Sequence, residues 1–260
     1  MKGYTFGIEN EVIILDFQGR CVPKNAEVIQ RFIQKYPQYA NNIKPELDAC
    51  QVELITDVHE SLKAATTQII TLTNLVARIV SDLGYILSKN PAPDYPASDQ
   101  KTSVVSDPCI QAKYHKIDVL LREKNVRYAT NIAGIHINIG HLDAQKILTL
   151  HHEMSKRVKN LLDQNDPDNL AFHPQRFNRY KIVVDAFETA MIFEPDEGNY
   201  LDELGHPKDQ GHSLVRLKKY GNRLVTELRT PRGGYDLPSV IQSIQTVLTS
   251  IIIPSLQSVR

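Results

Sequence analysis

The run YTFGIENEVIIL, residues 4–15, constrains the fold more than any other stretch of this chain. Successive side chains of a strand point to opposite faces, so its even and odd positions are read separately. Tyr4, Phe6, Ile8, Val12 and Ile14 form an apolar series broken only by Asn10, whereas the odd series sets Glu9 and Glu11 beside Gly7. One face seeks a core; the other carries two carboxylates about 7 Å apart. Like charges at that spacing on a largely buried strand repel unless a cation lies between them. An exposed edge strand would also accommodate the pair, so this stretch alone does not define a site.

The same alternation recurs. CQVELIT, residues 50–56, puts Cys50, Val52 and Leu54 on one side and Gln51 and Glu53 on the other; GIHINIG, residues 134–140, opposes three isoleucines to His136 and Asn138. A hairpin over 214–229 turns at Tyr220-Gly221-Asn222, and its second strand opposes Leu224 and Leu228 to Glu227 and Arg229. A sheet face washed by water normally shows Lys, Thr and Ser. This set is rich in oxygen ligands, which suit Mg²⁺ or Mn²⁺ with histidine as a minor ligand. An arginine on the same face suits a transferring phosphoryl group. The repetition over four strands points to a site.

Between the strands, helices are expected over 25–36, 60–83 (ended by Gly84), 108 to about 124 (capped by Asp107), 144–163 (capped by Asp143), 174–190 and from Asp236 onward, with Pro254 kinking or ending the last. A short strand is expected at 85–88 and a mobile flap over 194–211, at the mouth of the polar face. The order predicts an α+β fold, a mainly antiparallel sheet with helices on one face, in a single domain over residues 1–260. The 30 basic and 30 acidic residues cancel, which offers no surface for nucleic acid or an anionic membrane. No apolar run is expected to span a bilayer, and no signal peptide is evident. Cys21, Cys50 and Cys109 lack metal or redox spacing, so free thiols and a cytoplasmic location are expected. His151 and His152, Lys156, Arg157 and Lys159 read as a solvated helix surface, and Tyr114 and Tyr180 as core or rim. Lys218 and Lys219 read as exposed, while Arg216 stands between an exposed residue and one reaching substrate or ATP.

These motifs carry a resemblance. FGIENEVIIL resembles the G-x-E-x-E opening strand of the carboxylate-amine ligase family that includes type 2 glutamate–cysteine ligases. PELDACQVELIT looks like its second motif, with two acidic residues seven apart; GIHINIG is similar to its G-x-H-x-H strand and GNRLVTELRTPRG to its G-T-x-E-x-R strand. The matches stand in the family's order. The resemblance implies a glutamine-synthetase-like fold, a curved sheet holding ATP and two or three Mg²⁺. It implies metal ligation by Glu9, Glu11, Glu46, Glu53, Glu227 and His136, with Glu46 resting on the resemblance alone. Arg229, Arg216 and His136 would meet the nucleotide, and Arg229, Glu53 and Glu227 would be catalytic. There are departures: the chain is short for the family, Asn138 stands where a second His is common, TPRG follows Arg229 where an acidic residue is common, and N-S-P and S-x-R segments are not evident around 163–180, where Arg176 and Arg179 could substitute.

The implied activity is an ATP-dependent ligase that joins a carboxylate to an amine, both small molecules expected to be amino acids, through an acyl phosphate; a homo-oligomer stays open. Glutamate and cysteine do not carry over as substrates. Two other readings compete: a phosphagen-kinase-like phosphotransferase, and a non-catalytic nucleotide- or metal-binding protein on the same fold.

Overall fold

The computed structural model describes residues 3–96, 99–164, 174–195, 199–229 and 233–259. Seven strands are found: β1 (Tyr4–Leu15), β2 (Ile43–Pro45), β3 (Gln51–Ile55), β4 (Ile86–Leu87), β5 (Ile135–His141), β6 (Val215–Tyr220) and β7 (Arg223–Leu228). The helices are α1 (Asn25–Lys35), α2 (Leu62–Asp82), α3 (Pro108–Glu123), α4 (Ala144–Asp163), α5 (Pro174–Ala186), α6 (Leu237–Val247) and α7 (Ile253–Ser258). The strands run β2-β3-β1-β5-β7-β6, with β4 paired to the end of β1, and every pairing is antiparallel.

The core lies where the alternation puts it. Phe6, Ile8, Val12 and Ile14 of β1 pack with Val52 and Leu54, the isoleucines of β5, and Leu224 and Leu228. Against them lie Val28 and Phe32 of α1, the stripe Leu62, Ala65, Ile69, Leu72, Val76 and Ile79 of α2, and Ile147, Leu150, Met154 and Val158 of α4. Asn10 is the polar exception, fully buried. Its amide donates to Thr73 Oγ1 at 3.1 Å and to the Gly234 carbonyl at 3.2 Å, and its oxygen accepts from Gly234 N at 3.0 Å. A satisfied amide costs little and ties the start of the last helical segment to β1.

The caps follow the expected chemistry. Ser61 Oγ accepts from Ala64 N, Asp107 from Cys109 N and Ile110 N, and Asp143 from Gln145 N. Gly84 ends α2 at φ +79°. At Pro254 the α pattern is interrupted, as expected: α6 ends at Val247, a π turn over Leu248–Ile252 follows, and Pro254 stands in the first turn of α7. Counted together, Leu237–Ser258 is long and apolar enough to cross a membrane by length and composition, contrary to the expectation from sequence. Here Val240, Ile244, Val247, Ile251, Ile252 and Leu256 belong to the core, beside α4.

Two expectations are corrected. His151 is fully buried, edge-on to Tyr200 and 3.1 Å from Thr226 Oγ1, so the helix surface carries His152 but not His151. The part of the expected flap from Tyr200 to Gly205 does not hang over the polar face. Tyr200 packs on His151 and its hydroxyl lies 3.1 Å from His152, while the Gly205 carbonyl accepts from Lys219; both anchor it on the helix-covered side of the sheet. Residues 196–198 of the expected flap, and Thr230, Pro231 and Arg232 after Arg229, lie outside the described residues.

Candidate active site

Antiparallel pairing fixes which polar side chains become neighbours. Glu11 lies opposite Glu53, Glu9 opposite His136, and Asn138 opposite Glu227, which in turn faces Arg216 of β6. The sheet's second face is thus a continuous polar field from Lys44 on β2 to Lys218 on β6. Glu9, Glu53, His136 and Glu227 on it are all buried.

Two groups on this field could each hold a cation. Glu9, Glu53 and His136 offer ligand atoms within 4.8 Å of one another, as do Glu11, Glu46 and Glu53, and Glu53 is common to both. Glu46 comes from the turn between β2 and β3, outside any strand alternation, which is why side-chain periodicity could not find it. Burial and the neighbouring Glu11 carboxylate push the Glu46 carboxyl up to about 7. Burial also opposes the Glu9 charge, but its hydrogen bond to His136 and the charges of His136, Lys218 and Lys44 prevail and hold it well below the usual range. Glu11 accepts from Gly134 N at 2.7 Å, and its other oxygen lies 3.7 Å from His136 Nε2. Lys44 pairs with Glu53 at 2.5 Å.

The β6–β7 end is cationic. Arg229 Nε lies 3.4 Å from Glu227, and neither Arg229 Nη1 nor Arg216 Nε has a hydrogen-bond partner among the described residues. Burial opposes both charges. At Arg229 the Tyr180 hydroxyl and the Glu227, Glu11 and Glu9 carboxylates outweigh it and the pKa rises, whereas at Arg216 the adjacent Arg229 reinforces it and the pKa falls. His212 reports the same positive field: burial, with Arg229 and Arg216 nearby, lowers it to about 4. Buried guanidinium donors left without partners are suited to an anion.

Lys218 was read as exposed, and the structure overturns this. Its ammonium is paired with Glu227 and lies 3.5 Å from Glu9. The signal was present in VRLKKY, where Val215 and Leu217 alternate with Arg216 and Lys218. Two groups of α5 meet the expectations for them, Arg176 as a possible site residue and Tyr180 as core or rim. Arg176 is fully buried beside Glu11 and donates through Nε to the Ala133 carbonyl at 2.8 Å, and Tyr180 donates to the His212 carbonyl. Arg179, the other candidate there, turns away to Asp94 and the Pro93 carbonyl. Periodicity within α5 could not say that this helix closes one end of the polar face.

Solved structures match over nearly the whole chain at low identity. A glutamate–cysteine ligase (gshA) of Francisella tularensis in complex with AMP aligns with TM-score 0.60 and 14% identity, over 98% of this chain and 66% of its own. A bifunctional glutathione synthetase from Pasteurella multocida gives 0.58 and 14%, over 98% and 41%, and a GmaS/ADP complex gives 0.51 and 11%, over 99% and 55%. The chain therefore spans less than two thirds of each, and these likenesses establish a glutamine-synthetase-like fold. No curated protein sequence matches. The model of glutamate-cysteine ligase family 2 matches residues 5–162, more than half of the sequence, and the chain belongs to that family.

Proposed function

We propose that this chain is an ATP- and Mg²⁺- or Mn²⁺-dependent carboxylate-amine ligase, glutamate–cysteine ligase-like in chemistry, working as one catalytic domain over residues 1–260. The observation that carries the reading is the pairing, on one buried face, of two cation-holding groups that share Glu53 with two arginines bearing unpartnered donors. An oxygen-rich donor set with one histidine fits Mg²⁺ or Mn²⁺. Glu9, Glu53 and His136 would hold one ion and Glu11, Glu46 and Glu53 another. Such ions neutralise charge on a polyphosphate and polarise the phosphoryl group to be transferred.

The protein's own groups do the rest. Arg229 and Arg216 present guanidinium donors to a phosphoryl group, Glu227 orients Arg229, and Arg176 and Tyr180 close the end of the face against water. A substrate carboxylate oxygen forms a bond to the γ-phosphorus of ATP as the bond to ADP breaks. The amine nitrogen then bonds to the acyl carbon, and the departing phosphate takes up the proton the amine loses. The nucleotides held by two structural neighbours support ATP as the phosphoryl donor.

The test is a panel of amino acids and amines screened for ATP-dependent phosphate release, followed by product analysis. ADP, free phosphate and an amide are expected. ADP with a phosphorylated acceptor would make the chain a kinase, and nucleotide binding without turnover would make it a binding protein.

A further inference from the structure

We propose that Lys218 is a built-in cation that takes the place of a third metal ion, so that the site holds two divalent ions. The inference rests on the metal-dependent reading above and deepens it. It starts from the partners of single oxygens. Glu9 Oε1 receives the Asn138 amide at 3.1 Å and the Lys218 ammonium at 3.5 Å, while Glu9 Oε2 lies 3.0 Å from His136 Nδ1. Glu227 Oε1 faces Arg229 Nε at 3.4 Å, and its Oε2 is paired with Lys218. The gap between Glu9 and Glu227 is therefore closed by N–H donors on both sides. Glu227, almost fully buried, stands in neither of the groups whose ligand atoms lie within 4.8 Å of one another among the described residues.

Lys44, half exposed, can swing away from Glu53, but Lys218 is seated between two buried carboxylates, in the space that a bridging metal would need. A metal between Glu9 and Glu227 would also put a divalent charge beside the Lys218 ammonium, whose side chain is only 25% exposed. The two carboxylates are neutralised by lysine instead, and Glu227 acts as the shared counter-ion of Lys218 and Arg229. Asn138 fits the same account: an amide donor to Glu9 is compatible with a neighbouring ammonium, and its own Oδ1 has no partner among the described residues. A lysine cation differs from an ion in that chelators do not remove it, which leaves part of the polar field neutralised at any metal concentration.

Mn²⁺ binding to the whole chain, without nucleotide so that no phosphate supplies ligands, tests this. Equilibrium dialysis, with free Mn²⁺ counted by its paramagnetic resonance signal, should give two ions per wild-type chain. Lys218→Met removes the ammonium and should bind a third ion, with Glu9, Glu227 and Asn138 Oδ1 as donors, whereas Lys218→Arg keeps a cation and should bind two. Three ions on wild type, or two on a folded Lys218→Met, would overturn the proposal while leaving a metal-dependent site. No ion on wild type would overturn both. The wild-type count requires no variant to fold.

Discussion

Arg229 is where the polar-face alternation and the buried geometry meet. Its Nη1 donor has no partner among the described residues, and its Nε leans on Glu227. A pair on an exposed strand would contribute only about 0–1 kcal/mol, and lysine would replace it at little cost. A fork onto a transferring phosphoryl group would not tolerate lysine, which keeps the charge but loses the paired donors. Arg229→Lys is expected to bind ATP within a few-fold of wild type while kcat falls by about 10²–10³; steady-state kinetics beside nucleotide binding separates the two. His151 makes a prediction of another kind. Burial lowers its pKa to about 3 from the ordinary 6.5. Below pH 6.5 the unfolded chain takes up a proton that the folded chain refuses, so stability is complete above 6.5 and falls as pH drops toward 3. The slope is at most about 1.4 kcal/mol per pH unit. His151→Gln has no proton to refuse, and urea melts at neutral and at mildly acidic pH should show it losing less stability than wild type over that interval. Equal losses would assign the acid sensitivity to other groups.

At the scale of elements, two glycines allow close approach at the start of β5, Gly134 to α5 and Gly233 to the backbone of Gly134. A Cβ on Gly134 would stand 2.3 Å from Arg176 Nη2, and one on Gly233 would stand 2.3 Å from the Gly134 carbonyl oxygen. Arg176 is buried and held by the Ala133 carbonyl, so it has little room to yield. Gly134→Ala should therefore cost about 1–3 kcal/mol, as overpacking does, and lower the melting temperature. If melting were unchanged, α5 would be shown to ride loosely on the sheet. The hairpin of β6 and β7 illustrates a second point. Alternation alone assigns Lys218 to the polar face, yet a basic residue near a turn also reads as solvated, and only the pairing of Arg216 with Glu227 and of Gly7 with Asn138 shows which face is closed. The stretch from Asn199 to Pro207 is likewise polar and turn-rich, but one aromatic, Tyr200, is enough to seat it on α4.

Over the whole molecule, the sheet gathers carboxylates from strands far apart in sequence, and the energy of that gathering depends on what neutralises them. Because Glu53 belongs to both cation-holding groups, Glu53→Gln should weaken both, whereas Glu46→Gln should weaken one. Mn²⁺ at about 100 times its dissociation constant should stabilise wild type by about 2.7 kcal/mol for each site filled. Thermal melts with and without Mn²⁺ should show that gain reduced in Glu46→Gln and nearly abolished in Glu53→Gln; a full gain in the latter would remove Glu53 from the site. The strands, their polar faces, the helix caps and four ordered motifs were legible in the sequence because they rest on local chemistry: period-two alternation, hydroxyl and carboxylate caps, and glycine or proline at helix ends. They are enough to specify the α+β sheet and most of the acidic field. The pairing of Lys218, the seating of Arg176 and Tyr180 and the burial of His151 were decided by the tertiary structure, and Glu46 was reached only through the family resemblance. A hairpin lysine and the inner side of α5 acquire their roles only when chain segments more than a hundred residues apart meet, Lys218 with Glu9 and Arg176 with Glu11. Burial then decides which charges must be paired, and with what.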